Sequence, residues 1–157
     1  MNHRAVALIV LACLLSGCGS ASDAVTFTAP PGYKADVSIG PFAQTWSGPG
    51  HSLVMLMALP TKLDLDKPIQ GSPVGNATVQ RDQKITICTN QPARFGEMIG
   101  SAEVGSSPDP RQKGRNQEIE FVATAVNGKT YMALYARPLG SPPDRSAESA
   151  IRNICPR

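Results

Sequence analysis

The chain is poor in aromatic and charged residues, at 5% and 17% of the total, and its formal net charge is only +3. Its basic residues are not clustered, which argues against a nucleic acid as the main partner, because nucleic-acid-binding proteins present a basic face. The two histidines, His3 and His51, stand far apart, and no cluster of His, Cys, Asp or Glu has metal-ligand spacing. We therefore expect no nucleic-acid partner, no metal and no cofactor.

Sequence motifs of catalysis are also missing. His51 and Ser52 lie beside a glycine turn, but no Gly-x-Ser-x-Gly motif accompanies them, so His51 is interpreted as a solvated turn residue. Asp64 and Asp66 are two positions apart, which on a helix directs the two carboxylates to different faces and disfavours a catalytic dyad. No glycine loop of the phosphate-binding type is present. These absences favour a protein that is not an enzyme.

The first residues have the organisation of an export signal. Arg4 precedes an apolar run over residues 5–15, which is too short to span a bilayer as a stable helix. The run ends in Leu15-Ser16-Gly17-Cys18, and here the leader resembles those of bacterial lipoproteins, whose lipobox has leucine three positions before an invariant cysteine. The resemblance implies cleavage before Cys18 and attachment of lipid to its thiol and new amine. An ordinary secretory signal cleaved nearby, with Cys18 incidental, is the alternative.

This interpretation divides the chain into a lipoprotein signal peptide (1–17), a lipidated tether (18–24) and a single domain (25–157). Several acyl chains are needed for stable anchoring, because one chain gives only reversible membrane binding. The resemblance implies a location in the bacterial cell envelope, anchored to a membrane that faces the periplasm or the exterior. Gly19 follows the cysteine where an aspartate is associated with inner-membrane retention, so the outer membrane is favoured if the cell has one.

Residues 118–137 are predicted to form a β-hairpin around which the domain is organised. The Asn127-Gly128 turn favours type I′, in which both central residues adopt positive φ. With this turn Glu118 falls directly opposite Arg137, an opposite-charge pair that supports the register. One face of the hairpin is then almost wholly apolar, with the pairs Ile119/Ala136, Phe121/Leu134, Ala123/Met132 and Ala125/Thr130.

Further strands are predicted from alternation and from flanking turn residues, at 25–29, 42–46, 52–59, 78–81, 84–89 and 93–99. The apolar segment 52–59 is expected to be central and buried on both faces, and Gly96 is expected to weaken the last strand. Residues 62–70 could hold one or two helical turns, interrupted by Pro68. Residues 101–116 are expected to form a mobile loop. Its cations, Arg111, Lys113 and Arg115, are interpreted as solvated, with contact to anionic headgroups as the alternative.

A C-terminal helix is predicted after Pro138. Ser141 and Asp144 have the spacing of a capping box, with a proline at the first helical position. One buried stripe follows at helical spacing, formed by Ala147, Ala150, Ile151, Ile154 and Cys155. Pro156 is expected to end the helix.

Four cysteines are present, and the leader accounts for two of them, Cys13 and Cys18. Cys88 and Cys155 remain as a lone pair in an exported domain, where disulfides persist. Their expected positions, on a strand and on the buried stripe of the helix, predict a disulfide that fastens the helix to the sheet. Two buried free thiols and a redox pair are the alternatives, and the lack of Cys-x-x-Cys spacing disfavours the redox pair.

Trp46, Tyr131 and Tyr135 are candidates for a ligand or partner surface if the second face of the hairpin is open. Val122 and Ala133 lie among these rings on the same face and suggest instead that the C-terminal helix packs there. The packing interpretation is the favoured one.

The order of elements predicts the α+β class: an antiparallel sheet with a C-terminal helix packed on one face. The segment Phe27-Thr-Ala-Pro-Pro-Gly-Tyr33 resembles the start of PsbP, Mog1 and DcrB-like domains. That resemblance implies an α/β/α sandwich acting as a binding or assembly module, without catalytic residues. The first functional hypothesis is a non-enzymatic accessory lipoprotein that binds an envelope protein, and the alternative is a lipoprotein that binds a small ligand.

Overall fold

The computed structural model describes residues 21–39, 42–59, 62–70, 77–101 and 116–157. Within these residues the helices are α1 (Ala21–Ala24) and α2 (Arg145–Arg152), with a 3-10 turn at Pro49–His51. The strands are β1 (Val25–Thr26), β2 (Lys34–Ile39), β3 (Ala43–Ser47), β4 (Leu53–Leu59), β5 (Ala77–Ile87), β6 (Gln91–Ser101), β7 (Asn116–Val126), β8 (Lys129–Pro138) and β9 (Cys155–Pro156). The predicted α+β class, an antiparallel sheet with a C-terminal helix, is confirmed.

Seven of these strands form one sheet in the order β2-β3-β4-β8-β7-β6-β5, and every neighbouring pair is antiparallel. The sheet consists of two meanders, β2 to β4 and β5 to β8, joined by the β4–β8 pair. Strand β4 lies inside the sheet and Leu53 to Leu56 are buried, as expected from its apolar sequence. Strands β2 and β5 form the two edges.

The hairpin β7–β8 has the predicted register, with Val126 opposite Lys129 and Glu118 opposite Arg137. Asn127 and Gly128 have φ values of 51° and 77°, so both central residues take the positive φ that a type I′ turn requires. The carboxylate of Glu118 forms an ion pair with the guanidinium of Arg137. Local turn chemistry and alternation therefore determine this part of the sheet.

Gly96 has a packing role in β6. It lies directly opposite Phe121 of β7, and a Cβ atom at this position would lie 2.2 Å from the ring atom Cζ of Phe121. The phenyl ring lies over the glycine, which restores apolar contact at a position without a side chain. The expected weakening of the strand is thus compensated by a cross-strand aromatic residue.

Each face of the large sheet carries its own buried cluster. The helix face packs against α2 and the segment after β1, and its larger members are Trp46, Val54, Leu56, Phe95, Val122, Tyr131, Tyr135 and Ile151. The second face has Leu53, Met55, Met98, Phe121, Met132 and Leu134, against which Leu63, Leu65 and Ile69 pack. Residues 62–70 are not helical, which corrects the expected helical turns. The described part of the second face is therefore covered by irregular chain, and it shows no second helical layer of an α/β/α sandwich.

The C-terminal helix differs from its prediction at both ends. Asp144 is itself the N-cap, accepting a hydrogen bond from the Ser146 amide at 2.8 Å, so the predicted capping box at Ser141 is wrong. The helix ends at Arg152, and Cys155 lies in β9 instead of on the helical stripe. The reason is that the chain after Asn153 pairs with β1, which satisfies its backbone groups in a strand.

Strands β1 and β9 form a separate two-stranded sheet, with Val25 opposite Pro156 and Thr26 opposite Cys155. The amide of Arg157 also donates to the carbonyl of Ala24 at 3.0 Å. The first and last described strands are therefore neighbours. Helix α1, which precedes β1 in the chain, lies against β4.

Two further corrections concern the edges of the large sheet. Strand β2 was not predicted, and the two strands predicted at 78–81 and 84–89 are the single strand β5, with a bulge between Val79 and Arg81.

Candidate functional site

The predicted disulfide between Cys88 and Cys155 is present, with an S–S distance of 1.99 Å and a Cα–Cα distance of 5.8 Å. Cys88 lies in the turn between β5 and β6, at a φ of 51°, and Cys155 lies in β9. The bond therefore fastens the β1–β9 pair, and with it the end of the chain, to one corner of the large sheet. The pairing is as predicted, but Cys88 lies in a turn instead of a strand, and Cys155 lies in a strand instead of the helix.

The aromatic residues singled out in the sequence lie in the core of the helix face. Trp46, Tyr131 and Tyr135 expose only 9%, 4% and 1% of their surface, and Ala147 and Ile151 of α2 belong to the same cluster. The C-terminal helix therefore packs on this face of the hairpin, and these rings do not form an open ligand or partner surface. The Phe27 ring adds to the cluster, with its centroid 5.0 Å from that of Trp46.

Two buried phenols attach loops to this core. The Tyr135 hydroxyl accepts a hydrogen bond from the Asp144 amide at 2.9 Å, and the Tyr33 hydroxyl shares one with Ser52 Oγ at 2.8 Å. Burial raises the pKa of both tyrosines, while the hydrogen bond from the Ser146 side chain lowers the pKa of the Asp144 carboxyl. Both phenols therefore stay neutral, and that of Tyr135 fixes the start of α2 against the sheet.

The helix face also carries a group of four carboxylates, the Glu120 cluster, consisting of Glu97, Glu118, Glu120 and Glu148. Glu97 of β6 stands directly opposite Glu120 of β7, a like-charge pair that is unfavourable in a sheet. A depression of about 310 Å³ next to these two strands is lined by Glu97, Glu118 and Glu120 together with Arg137. Three arginines surround the cluster: Arg137 pairs with Glu118, Arg81 lies 3.5 Å from Glu97, and Arg152 of α2 stacks on Phe95.

Glu120 is the unusual member of this cluster. Its pKa is raised to about 7, chiefly by burial and also by the charges of Glu148 and Glu97, while Arg152 and Arg137 act in the opposite direction. The folded protein can therefore take up a proton near neutral pH at a position where the helix meets the sheet. The titratable side chains that line the depression are three glutamates and one arginine, and none of its lining residues is a histidine, cysteine or serine.

Glu120 should make the free energy of unfolding depend on pH between about pH 4.5 and pH 7. Because its pKa is raised from 4.5 to about 7 on folding, the folded state binds more protons between these values, so the stabilising effect is complete below about pH 4.5. As pH rises to about 7 this contribution should be lost, by on the order of 1–2 kcal/mol after allowance for solvent screening. Urea unfolding at pH 5 and pH 8 checks this: Glu120→Gln should reduce the difference, whereas exposed Asp66→Asn should leave it unchanged. An undiminished difference in Glu120→Gln would refute the assignment.

The second face contains a buried ion pair that the sequence analysis missed. Arg94 Nε lies 2.7 Å from Asp82 Oδ1, and these side chains are only 7% and 8% exposed. Arg94 Nη1 also donates to the Leu65 carbonyl at 3.3 Å, and the Ile69 amide donates to Asp82 Oδ2 at 2.6 Å. A separate hydrogen bond of 2.9 Å joins the Leu63 amide to Thr130 Oγ1. These bonds attach the irregular segment 62–70 to the sheet.

One sequence signal could have revealed this pair. Arg94 stands at an inward position of β6, in step with Met98, where a charge needs a partner. The adjacent open depression of about 610 Å³ is lined by side chains of both signs, including Lys62, Lys84 and Asp66, and by Gln91. Lys84 already pairs with Asp66 at 2.5 Å, so the depression presents no net charge of one sign.

The remaining candidates do not assemble into a site. His51 is exposed in the 3-10 turn, and Asp64 and Asp66 lie in irregular chain, where Asp64 pairs with Lys67 at 3.1 Å. In the part of the chain that the structure describes, no three His, Cys, Asp or Glu side chains are arranged so that they could hold a metal ion, and no helix is long and apolar enough to cross a membrane. Cys18 with its lipobox, and the loop cations at 111, 113 and 115, lie outside the described residues.

No known protein family and no curated protein matches the chain. Among solved structures, the chain is similar to the Ran-binding protein Mog1p of Saccharomyces cerevisiae, with 12% sequence identity. The match covers 74% of this chain and 72% of that chain, with a TM-score of 0.47. A likeness at this level carries no argument about function, and the α+β assignment rests on the strands and helices themselves.

Proposed function

We propose that the protein is a lipid-anchored lipoprotein of the bacterial cell envelope, and that its domain is a non-enzymatic accessory module that binds another envelope protein. The observation that carries the proposal is the leader, an apolar run that ends in Leu15-Ser16-Gly17-Cys18. The Cys88–Cys155 disulfide supports export, because such bonds persist outside the reducing cytosol. Lipid on Cys18 would hold the domain at a membrane.

The chemistry of the described residues favours binding over catalysis. Glu97 and Glu118 of the Glu120 cluster have arginine partners, and the buried Asp82 is paired with Arg94. The rings proposed as a ligand platform are buried beneath α2 and its neighbours, so they give no support to the small-ligand alternative. An accessory role needs only an exposed surface and a fixed location, both of which this proposal includes.

Replacing Cys18 tests the anchor directly. In the expressing bacterium, Cys18→Ala should move the protein from the membrane fraction to the soluble fraction, because no acyl chain can then be attached. The control is Cys13→Ala, which removes a leader cysteine outside the lipobox and should leave the protein on the membrane. The mass of the N-terminal peptide should show the lipid in the native chain and in Cys13→Ala, but not in Cys18→Ala. Cys18→Ala protein that still sediments with membranes would contradict the proposal.

The same cells, cross-linked before lysis, test the accessory role. Detergent-solubilised native protein should carry one envelope protein reproducibly, as read by mass spectrometry. The Cys18→Ala protein should carry less of it, since the anchor concentrates both proteins at one surface. If the native protein is lipidated but no partner exceeds the background, the anchor stands and the accessory role is wrong.

A further inference from the structure

Two large apolar side chains are exposed among the described residues, and they lie at opposite ends of the sheet. Phe42 is 59% exposed and Leu139 is 48% exposed. The Phe42 carbonyl accepts a hydrogen bond of 2.8 Å from Ala58, which is opposite Tyr131 of β8, whereas Leu139 follows the last residue of β8. Leu139 is eight residue steps beyond Tyr131, or about 26 Å at the rise of a strand.

The N-terminal chain enters the domain at the end that carries Phe42. Thr26 of β1 pairs with Cys155, whose disulfide partner Cys88 lies in the β5–β6 turn. Gln91, which follows that turn, donates to the Ala125 carbonyl beside the β7–β8 turn, so β1 lies at the end of the sheet where β8 begins and β4 ends. Only three residue steps separate Cys18 from Ala21, and an extended chain of that length spans at most about 11 Å. A lipid on Cys18 would therefore hold this end of the sheet against the headgroups.

We propose that the end of the sheet carrying Phe42 lies on the lipid bilayer, with the phenyl ring among the headgroups and acyl-chain boundary. This inference rests on the lipid anchor proposed above and adds to it the orientation of the domain. An amphipathic surface that enters this boundary by several ångströms gains apolar contact without crossing the membrane. The opposite end, with Leu139, then faces away from the bilayer and is left open to a partner.

The charges around Phe42 are compatible with this orientation. Lys129 begins β8 and Lys62 precedes Leu63, which is bonded to Thr130, so both exposed lysines lie at the same end as Phe42. Lysine side chains can lay their methylene groups along an apolar surface and keep the ammonium at the headgroups. Asp23 of α1 and Asp64, which lines the same depression as Lys62, offset part of this charge. The ring is therefore the main contact, and net charge is secondary.

The experiment compares the two exposed apolar positions in the full-length, lipidated protein. Phe42→Cys and Leu139→Cys are labelled separately with an environment-sensitive fluorophore and reconstituted into phosphatidylcholine vesicles with brominated acyl chains. The label at position 42 should be quenched several-fold more than the label at position 139. Equal quenching, or stronger quenching at 139, would overturn the proposed orientation.

A second measurement avoids the added cysteines, which could disturb the native disulfide. Hydroxyl-radical footprinting of the unaltered protein should show Phe42 protected in vesicles relative to the Cys18→Ala protein in solution, with Leu139 equally oxidised in both. Equal oxidation of Phe42 in both states would refute the contact. Lipidation is read separately from the N-terminal peptide mass, so a missing lipid overturns the anchor, whereas a lipidated chain without protection overturns the orientation alone.

Discussion

The double variant Cys88→Ser/Cys155→Ser is expected to unfold with a free energy lower by about 4 kcal/mol than that of the native protein. The bond joins residues 67 positions apart, and closing a loop of this length in the unfolded chain accounts for about 4 kcal/mol in the chain-entropy model. Replacing both cysteines avoids leaving one free thiol. Without the disulfide, β9 should separate from β1 before the rest of the domain unfolds, because only two residue pairs join these strands.

Urea unfolding of the native and double-variant proteins measures this difference. The midpoint should fall strongly, and a reductant should lower the native midpoint to a similar value while leaving the variant unchanged. The response of the variant to reductant is the control, since it reports any effect that does not pass through the bond. An unchanged midpoint in reduced native protein would show that the disulfide does not stabilise the domain.

Replacing Asp82 by alanine is expected to destabilise the protein by about 3–5 kcal/mol, because it leaves the buried guanidinium of Arg94 without its counter-charge. The same change removes the acceptor of the Ile69 amide, so the segment 62–70 loses one of its attachments to the second face. Arg94→Met in the Asp82→Ala background should recover part of the loss, since no buried charge then remains.

The control for Asp82 is an exposed ion pair in the same region. Lys84 and Asp66 lie 2.5 Å apart, yet their side chains are 57% and 81% exposed, so Asp66→Ala should cost no more than about 1 kcal/mol. Denaturant unfolding of the single and double variants gives all of the differences in one series. If Asp82→Ala lowered the free energy of unfolding no more than Asp66→Ala does, the buried ion pair would not stabilise the protein more than an exposed one.

The parts of the fold that the sequence predicted are those governed by neighbouring residues. The Asn127-Gly128 turn sets the register of β7 and β8, and alternation then assigns every residue to a face. The end of α2 could not be predicted in this way. Cys155 continues the helical spacing, but its backbone pairs with Thr26, which lies 129 positions earlier in the chain. Such a distant pairing has no local pattern in the sequence.

The candidate site shows the same limit. The pairing of Cys88 with Cys155 was predictable because only two cysteines remain outside the leader, whereas the Glu97–Glu120 contact depends on the register of β6 against β7. The connection between those strands is too long to fix a register by turn chemistry, so only the sheet itself aligns the two carboxylates. The Asp82–Arg94 pair likewise needs the bulge in β5 and the covering segment to be known.

The division of the large sheet into two meanders has a consequence for how the domain folds. Among the described strands, the pairs within each meander join strands that follow one another in the chain, and only β4–β8 and β1–β9 join distant ones. The entropy of bringing chain ends together grows with the length of the intervening loop, so those two pairings meet the largest closure cost. We therefore expect formation of the β4–β8 and β1–β9 pairs to be the slow steps of folding. Each meander can form earlier, from contacts between strands that are neighbours in the chain.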